Sequence, residues 1–278
     1  MVIASLGEND LNASIKSLLN NTFIPREIII VFAKYTKFDL AEFPHKIVRC
    51  IMSDKIGQVE QRLLGISVAK CNYILQSDSR ILWSQNAIEK LYNEVVNMGL
   101  LSVISPRTIE VENIDSLSLF VPIDRVEKRR FDETIPTSIF SQCGFPKSPY
   151  RYSLYERVLH KTDWINGVCL YHKSLAAKNN YYPFTGKAYC EDIINSCRLK
   201  NKGATLWIRN DAHTFTKLRS DKITLYSLNN MSRALLLSSS LFMKNNFFYR
   251  MMRFCLFGIW YTKYYLKIHL RCLRKSGT

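Results

Sequence analysis

The sequence predicts an α/β fold built on a mainly parallel sheet flanked by helices. Three observations carry this. Apolar strand-like runs alternate with helix-period stripes over the first hundred residues. The links between them are short. The runs also lack the polar–apolar alternation of a sheet with one wet face. Val2–Leu6 reads as the first strand, ending in a turn at Gly7. Leu11, Ile15, Leu18 and Leu19 mark an amphipathic helix capped by Asp10 or Asn9, and Pro25 ends that pattern. Glu27–Phe32 is a second strand, covered on both faces, and Lys46–Ile51 a third. Val59, Leu63 and Ile66 form a second helical stripe starting near Gly57. Asn72–Gln76 is the fourth strand, a helix runs from Ser84 to about Val96, and Leu101–Ser105 is the fifth strand. Ligands of such sheets lie beyond the carboxyl ends of the strands, so Ser5–Asn9, Phe32–Ala33 and Ser77–Arg80 are expected to converge on one cleft.

Residues 107–160 are less regular. They hold Pro122, Pro136, Pro146 and Pro149 and a charged run, Asp124–Arg130, and read as an insertion over the cleft. Order returns with a strand at Asp163–Tyr171, a helix at Glu191–Lys202 closed by Gly203, and a strand at Thr205–Arg209. Two units follow: residues 1–220 as the α/β domain and 221–278 as a basic helical tail.

The 278 residues are 47% hydrophobic and 22% charged, which excludes wholesale disorder; ten glycines and eight prolines exclude collagen-like classes. The net charge of +16 is concentrated at one end. From Lys222 to Thr278 there are ten Lys or Arg and no acid, leaving +6 for residues 1–221. The tail therefore calls for an anionic partner, phospholipid or nucleic acid. Its longest uncharged stretch, Phe254–Thr262, has nine residues, whereas a spanning helix needs about 20. On a helical projection Arg250, Arg253, Lys263, Lys267, Arg271, Arg274 and Lys275 share an arc of about 140°. That is the pattern of a helix lying in a membrane interface; a packed helix with a solvated basic face is the alternative. No nucleic-acid motif accompanies the charge, so no nucleic-acid partner is expected. None of the eight cysteines forms a C-x-x-C pair, and Met1–Gly7 has no basic n-region. Reduced thiols in a cytoplasm, with no signal peptide, are the expectation.

Several residues could carry chemistry. Asp78, in YILQSDSRIL, follows a strand, where a carboxylate can hold a metal bound to phosphate oxygens; turn residues look the same. Glu191 and Asp192 open a helix, as a general base over the cleft or as acids favoured by the macrodipole. Trp164, Asn166 and Gly167 combine a flat ring, an amide and a turn, which suits sugar recognition and equally suits a core Trp before a turn.

Four strings in order carry a resemblance. VIASLGENDLNASIKSLLNNTFIPREIIIV, GQVEQRLLGISVAKCNYILQSDSRIL, DWINGVCLYHK and EDIINSCRLKNKG together resemble family-2-type glycosyltransferases with the GT-A fold, over about residues 1–215. The resemblance implies that Ser5, Leu6 and Glu8 line a nucleotide pocket and that Arg62 approaches the nucleotide side. It makes Asp78 the first Asp of Asp-x-Asp. Trp164, Asn166 and Gly167 then border donor sugar and acceptor, and Asp192 is the catalytic base with Glu191 beside it. It also implies a divalent cation, Mn2+ or Mg2+, at Asp78, with His213 reaching the metal or the diphosphate. The sequence departs at two places. Arg80 stands where the second Asp normally ligates the metal, and a guanidinium instead pairs with diphosphate oxygens, so the need for a cation is weak or absent. Phe32-Ala33 stands where an Asp often reads the base, which leaves the nucleotide open.

The reaction implied is inverting transfer from a nucleotide sugar to a hydroxyl acceptor. By the same resemblance the acceptor is a lipid-linked glycan in bacterial surface-polysaccharide synthesis, met at the inner face of the cell membrane. A basic nucleic-acid-binding protein and an inactive glycosyltransferase-like binding module are the alternatives.

Overall fold

Two runs rich in aliphatic side chains lie next to each other inside the sheet. β1 (Val2–Ser5) and β2 (Ile28–Ala33) are buried along their whole length and pair in parallel, Val2 opposite Ile29 and Ser5 opposite Phe32. Burying an aliphatic side chain of this size is worth about 1.5–3 kcal/mol, so these two strands anchor the core. The structure, a computed structural model, describes the chain except at residues 9, 34–38, 40, 45, 112–138, 141–145, 148–157, 177–187, 189, 218–224, 243–245 and 277–278.

β3 (Val48–Ser53) extends the sheet beyond β2, and β4 (Tyr73–Asp78) lies on the other side of β1, both parallel. The full order is β3-β2-β1-β4-β10-β6-β11-β5, with β9 also beside β11. In it β5 is Leu82–Trp83, β6 Ser102–Val111, β9 Leu159–Thr162, β10 Cys169–His172 and β11 Thr205–Lys217. A separate hairpin joins β7 (Ile139–Phe140) to β8 (Pro146–Lys147). β10 runs antiparallel between β4 and β6, so the sheet is mixed at that point and parallel elsewhere along its core.

The helices follow the predicted order: α1 (Leu11–Leu19), α2 (Gln58–Val68), α3 (Ala87–Met98) and α4 (Glu191–Asn201). In α1 the predicted stripe is the buried one, with Ser14 and Ser17 added; Ser14 Oγ donates to the Ile81 carbonyl at 2.8 Å and Trp83 N donates to Ser17 Oγ at 3.1 Å. Asp10 makes no side-chain cap. In α2 the buried face is Gln61, Arg62, Gly65 and Ile66; of the predicted stripe Ile66 belongs to it, while Val59 and Leu63 are only half-buried. Gly65 allows the contact. A Cβ there would lie 2.5 Å from Val2 Cγ1 and 2.9 Å from Val31 Cγ2.

Three predicted strands change length, two growing and one shrinking. β6 and β11 outrun their predicted ends because each supplies the other's backbone partners, from Ser102 opposite Thr205 to Val111 opposite Lys217, with one irregularity between Arg209 and His213. Residues 107–111 therefore belong to the sheet; most of the expected insertion, including Asp124–Arg130, lies outside the described residues. Residues 163–168, predicted as strand, form a loop. There Val168 N donates to Asn166 Oδ1 at 3.1 Å, and the Val168 carbonyl accepts from Ser105 Oγ at 2.7 Å. Side chains have taken the groups that a strand would offer its neighbour.

The tail forms two helices, α5 (Leu225–Phe242) packed on α4 and α6 (Phe247–Ser276) packed on α5. Leu228, Ala234 and Ile268 are buried there, and Tyr261 Oη donates to Asn229 Oδ1 at 3.0 Å. Among the described residues no helix is long and apolar enough to cross a membrane. The described cysteines, Cys50, Cys71, Cys169, Cys190, Cys197 and Cys255, are free thiols.

Candidate active site

The site forms where β1 and β4 end side by side, with Ala4 opposite Asp78. Beyond β1 the chain turns back on itself. Ser5 Oγ donates to Glu8 Oε2 at 2.6 Å, Leu6 N donates to the same oxygen at 3.1 Å, and Gly7 N donates to Ser5 Oγ at 2.9 Å. Gly7 has φ 84°, a left-handed conformation that suits glycine. Burial raises the Glu8 carboxyl, but hydrogen bonds from Ser5, its own backbone, Ser79 and Leu6 outweigh it and hold the group below its ordinary value. The turns after β1 and β4 are thereby tied together. Ser5 is buried in this knot, and Leu6 is exposed at its rim.

α2 supplies the polar floor. Gln61 Nε2 donates to the carbonyls of Ser5 at 2.8 Å and Val31 at 2.6 Å, locking the helix to two strand ends. Gln58 Nε2 reaches Asp78 Oδ1 at 2.8 Å. Arg62 Nη2 donates to the same carboxylate oxygen, while its Nη1 lies 3.4 Å from Glu191 Oε1. The guanidinium is 8% exposed. Burial alone would lower its affinity for the proton, but the charges of Asp78 and Glu191 raise it and keep the group cationic. Arg62 therefore joins two strings 129 residues apart. Asp78 and Glu191 meet around it, and the guanidinium directs both of its terminal nitrogens to these carboxylates.

Gly167 completes this contact. Its φ is not left-handed; space is what demands a glycine. A Cβ would lie 2.7 Å from Arg62 Nη2 and 3.1 Å from Cζ and Nη1. Asn166 holds the loop from within, accepting from Ser105 Oγ at 2.8 Å and donating to Thr108 Oγ1 at 3.0 Å. Its amide is thus used in the scaffold. Trp164 is half-buried, and its Nε1 is shut from solvent without an acceptor. Ser196 of α4 accepts from Ile165 N at 3.1 Å and donates to the Asp192 carbonyl at 2.7 Å, pinning the 164–167 loop to the first turn of α4.

That first turn is set by Cys190, which has φ 55°. A non-glycine residue in this region costs about 1–2 kcal/mol and turns the chain sharply into α4. Glu191 and Asp192 follow at the amino end. Asp192 Oδ1 accepts from Ile193 N at 2.9 Å. Burial pushes Asp192 up to about 7, the Glu191 charge adds to this, and the Ile193 N–H and Arg62 only partly oppose it. A carboxylate that takes a proton near neutrality can act as a general base.

Arg80 sits in the turn closed by the Ile81 N–H to Asp78 carbonyl bond of 3.3 Å. It has no ion-pair or hydrogen-bond partner among the described residues. His213 does not join Asp78. It is buried opposite Arg107 on β6, its Nδ1 lacks a partner, and burial together with Arg107 and Lys90 pushes it down to about 4. The donors at the strand ends do not suit a divalent cation. Arg62 and Gln58 share Asp78 Oδ1, residue 80 is cationic, and no group of three His, Cys, Asp or Glu side chains among the described residues could hold a metal ion.

Gln58, Gln61 and Ser196 were not anticipated. The spacing of Gln58, Gln61, Arg62 and Gly65 on one helix face is the signal that carries the first two.

No protein-family model and no curated protein matches the chain. Solved structures do. "GalNAc-T7 with UDP, GalNAc and Mn2+" superposes with a TM-score of 0.61 at 14% identity, covering 84% of this chain and 47% of that one. S. aureus TarS 1–349 in complex with UDP-GlcNAc gives 0.58 at 11% identity, covering 86% and 65%; TarS itself gives 0.53 at 13%, covering 85% and 38%. The chain spans from about two-fifths to two-thirds of the length of these neighbours. At such identities the likeness is one of architecture, and it is shared by the strand order and helix placement described above: the chain has the GT-A glycosyltransferase fold.

Proposed function

We propose that the protein is an inverting glycosyltransferase of the family-2 kind, moving a hexose-type sugar from a nucleotide donor to a hydroxyl acceptor. The observation that carries the reading is Asp192, a half-buried carboxylate pushed to about 7 beside the Arg62-bridged pair of Asp78 and Glu191. The fold supports it, since the similar structures hold UDP in GalNAc-T7 and UDP-GlcNAc in TarS.

In this reading Asp192 accepts the acceptor's hydroxyl proton as that oxygen attacks the anomeric carbon. The bond from that carbon to the diphosphate oxygen breaks, the nucleoside diphosphate leaves with the electron pair, and one displacement inverts the centre. Arg80, without a partner among the described residues at the turn after β4, pairs with the leaving oxygens. No divalent cation is needed, because the guanidinium supplies positive charge where the second Asp would have placed a metal. Trp164 borders the sugar, while Asn166 and Gly167 hold the loop that presents it. The catalytic unit is residues 1–220, and 221–278 is a tail that holds the enzyme at the anionic inner face of a bacterial membrane. There the acceptor is a lipid-linked glycan of surface-polysaccharide synthesis.

The test is a screen of nucleotide sugars for transfer or slow hydrolysis, read as release of nucleoside diphosphate, with Asp192→Asn alongside. The variant should bind nucleotide and lose nearly all turnover. Normal turnover in Asp192→Asn would remove the base, and a wild type inert towards every donor yet still binding nucleotide would favour a binding module.

A further inference from the structure

The outer face of α6 is apolar, and it is exposed among the described residues. Phe247 is 77% exposed and Ile259 68%, and Phe248, Phe254, Leu266 and Leu270 are each more than half exposed. At about 100° per residue these positions fall in one arc of about 160°. The opposite face holds Ile268, which is buried, and Tyr261, which bonds Asn229 of α5. Lys263 and Lys267 flank one edge of the apolar arc, and both are exposed. The helix is 30 residues long, or about 45 Å, so the strip is far larger than the scattered apolar side chains of an ordinary surface.

Charge decides what the strip is for. Residues 222–278 carry ten Lys or Arg and no acid. A second copy seated on this face would bring two such tails together with no carboxylate of their own to balance them. An acidic bilayer supplies both complements at once: acyl chains for the apolar arc, and phosphates for lysine and arginine heads whose stems run along the helix flanks. We infer that α6 docks in the plane of an anionic phospholipid surface, with the Phe247–Leu270 face inserted and Lys263 and Lys267 at headgroup level. α6 rests on α5, and α5 on α4, the helix that begins with Glu191 and Asp192. The docking surface is thus built onto the support of the candidate base. It makes a definite element of the membrane partner named above, and it does not depend on glycosyl transfer.

The experiment is sedimentation of the full chain with vesicles of equal parts phosphatidylglycerol and phosphatidylcholine, and with phosphatidylcholine alone, without any sugar donor. Wild type should partition strongly onto the first and weakly onto the second. Ile259→Glu with Leu266→Glu should lower partition at least about tenfold. Lys263→Gln with Lys267→Gln should lower it roughly thirtyfold on the acidic vesicles and little on the neutral ones. These side chains are exposed, so both variants should melt as wild type does by circular dichroism; the lysine pair tests the idea even if the glutamate pair does not fold. Wild type that ignores acidic vesicles, or variants that bind as wild type does, would overturn the inference. So would a lipid-free dimer in sedimentation velocity that the glutamate pair dissolves, which would give the face to a second copy. Because no donor is present, failure here leaves the role of Asp192 untouched, and an inert Asp192 leaves the docking result standing.

Discussion

Replacing Asp192 by Asn should make the protein more stable while it loses transfer. The ordinary aspartate value is 3.8, and burial beside Glu191 pushes Asp192 up to about 7. Between those values the folded state binds the proton more tightly than the unfolded chain, so wild-type stability falls as pH rises through this window. The cost is complete above about 7 and absent below the unfolded value. At about 1.4 kcal/mol per pH unit the full difference is somewhat above ~4 kcal/mol, an upper bound. Asp192 is only partly enclosed, and relaxation of Glu191 screens the pair, so about 2 kcal/mol is the expected gain. Asparagine keeps an oxygen for the 2.9 Å bond from Ile193 N and carries no charge. Urea unfolding of both proteins at pH 8 and pH 4 reads the effect. The variant's midpoint should lie higher at pH 8, and the gap should close at pH 4. Equal or lower stability of Asp192→Asn at pH 8 would refute the burial argument, and with it the physical ground for a base of neutral affinity.

Other consequences can be checked separately. For wild type, kcat/KM should fall about tenfold per unit as pH drops below about 7, and Glu191→Gln should move that limb to lower pH by removing the like charge beside Asp192. Gly167→Ala should push the Arg62 guanidinium off its carboxylates, since the new methyl would lie 2.7 Å from Nη2; transfer should fall at least about tenfold with the fold kept, measured as kcat/KM beside a urea curve. Gly65→Ala should instead act on folding, costing about 1–3 kcal/mol in urea unfolding, because its methyl meets Val2 and Val31 of two central strands. Chelator should leave wild-type transfer largely intact, whereas Arg80→Gln should lower kcat; abolition by chelator with rescue by Mn2+ would return the leaving-group role to a metal.

How much of this could be read without coordinates follows from how local each signal is. The α1 stripe and the β2 run were legible because burial there depends on residues a turn or a neighbour apart, and the periods of helix and strand report it directly. The order of elements likewise pointed to Asp78 at a strand end and to Glu191–Asp192 at a helix start. The α2 face misled, since its buried side chains are polar. Gln61 and Arg62 are tolerated inside only because carbonyls of two strands and two distant carboxylates satisfy them. The loop at 163–168 looked like strand because its backbone partners are side chains from Ser105 and Asn166, which no pattern of hydrophobicity records. The sequence alone determined the fold class, the order of the elements and the basic tail. Tertiary structure decided that Arg62 bridges Asp78 to Glu191, that His213 stays apart from them, that Gly167 makes room for a guanidinium, and that the apolar face of α6 points outward. The physical reason is that burial and ion pairing act between residues up to 129 positions apart, and such partners meet only once the sheet has formed.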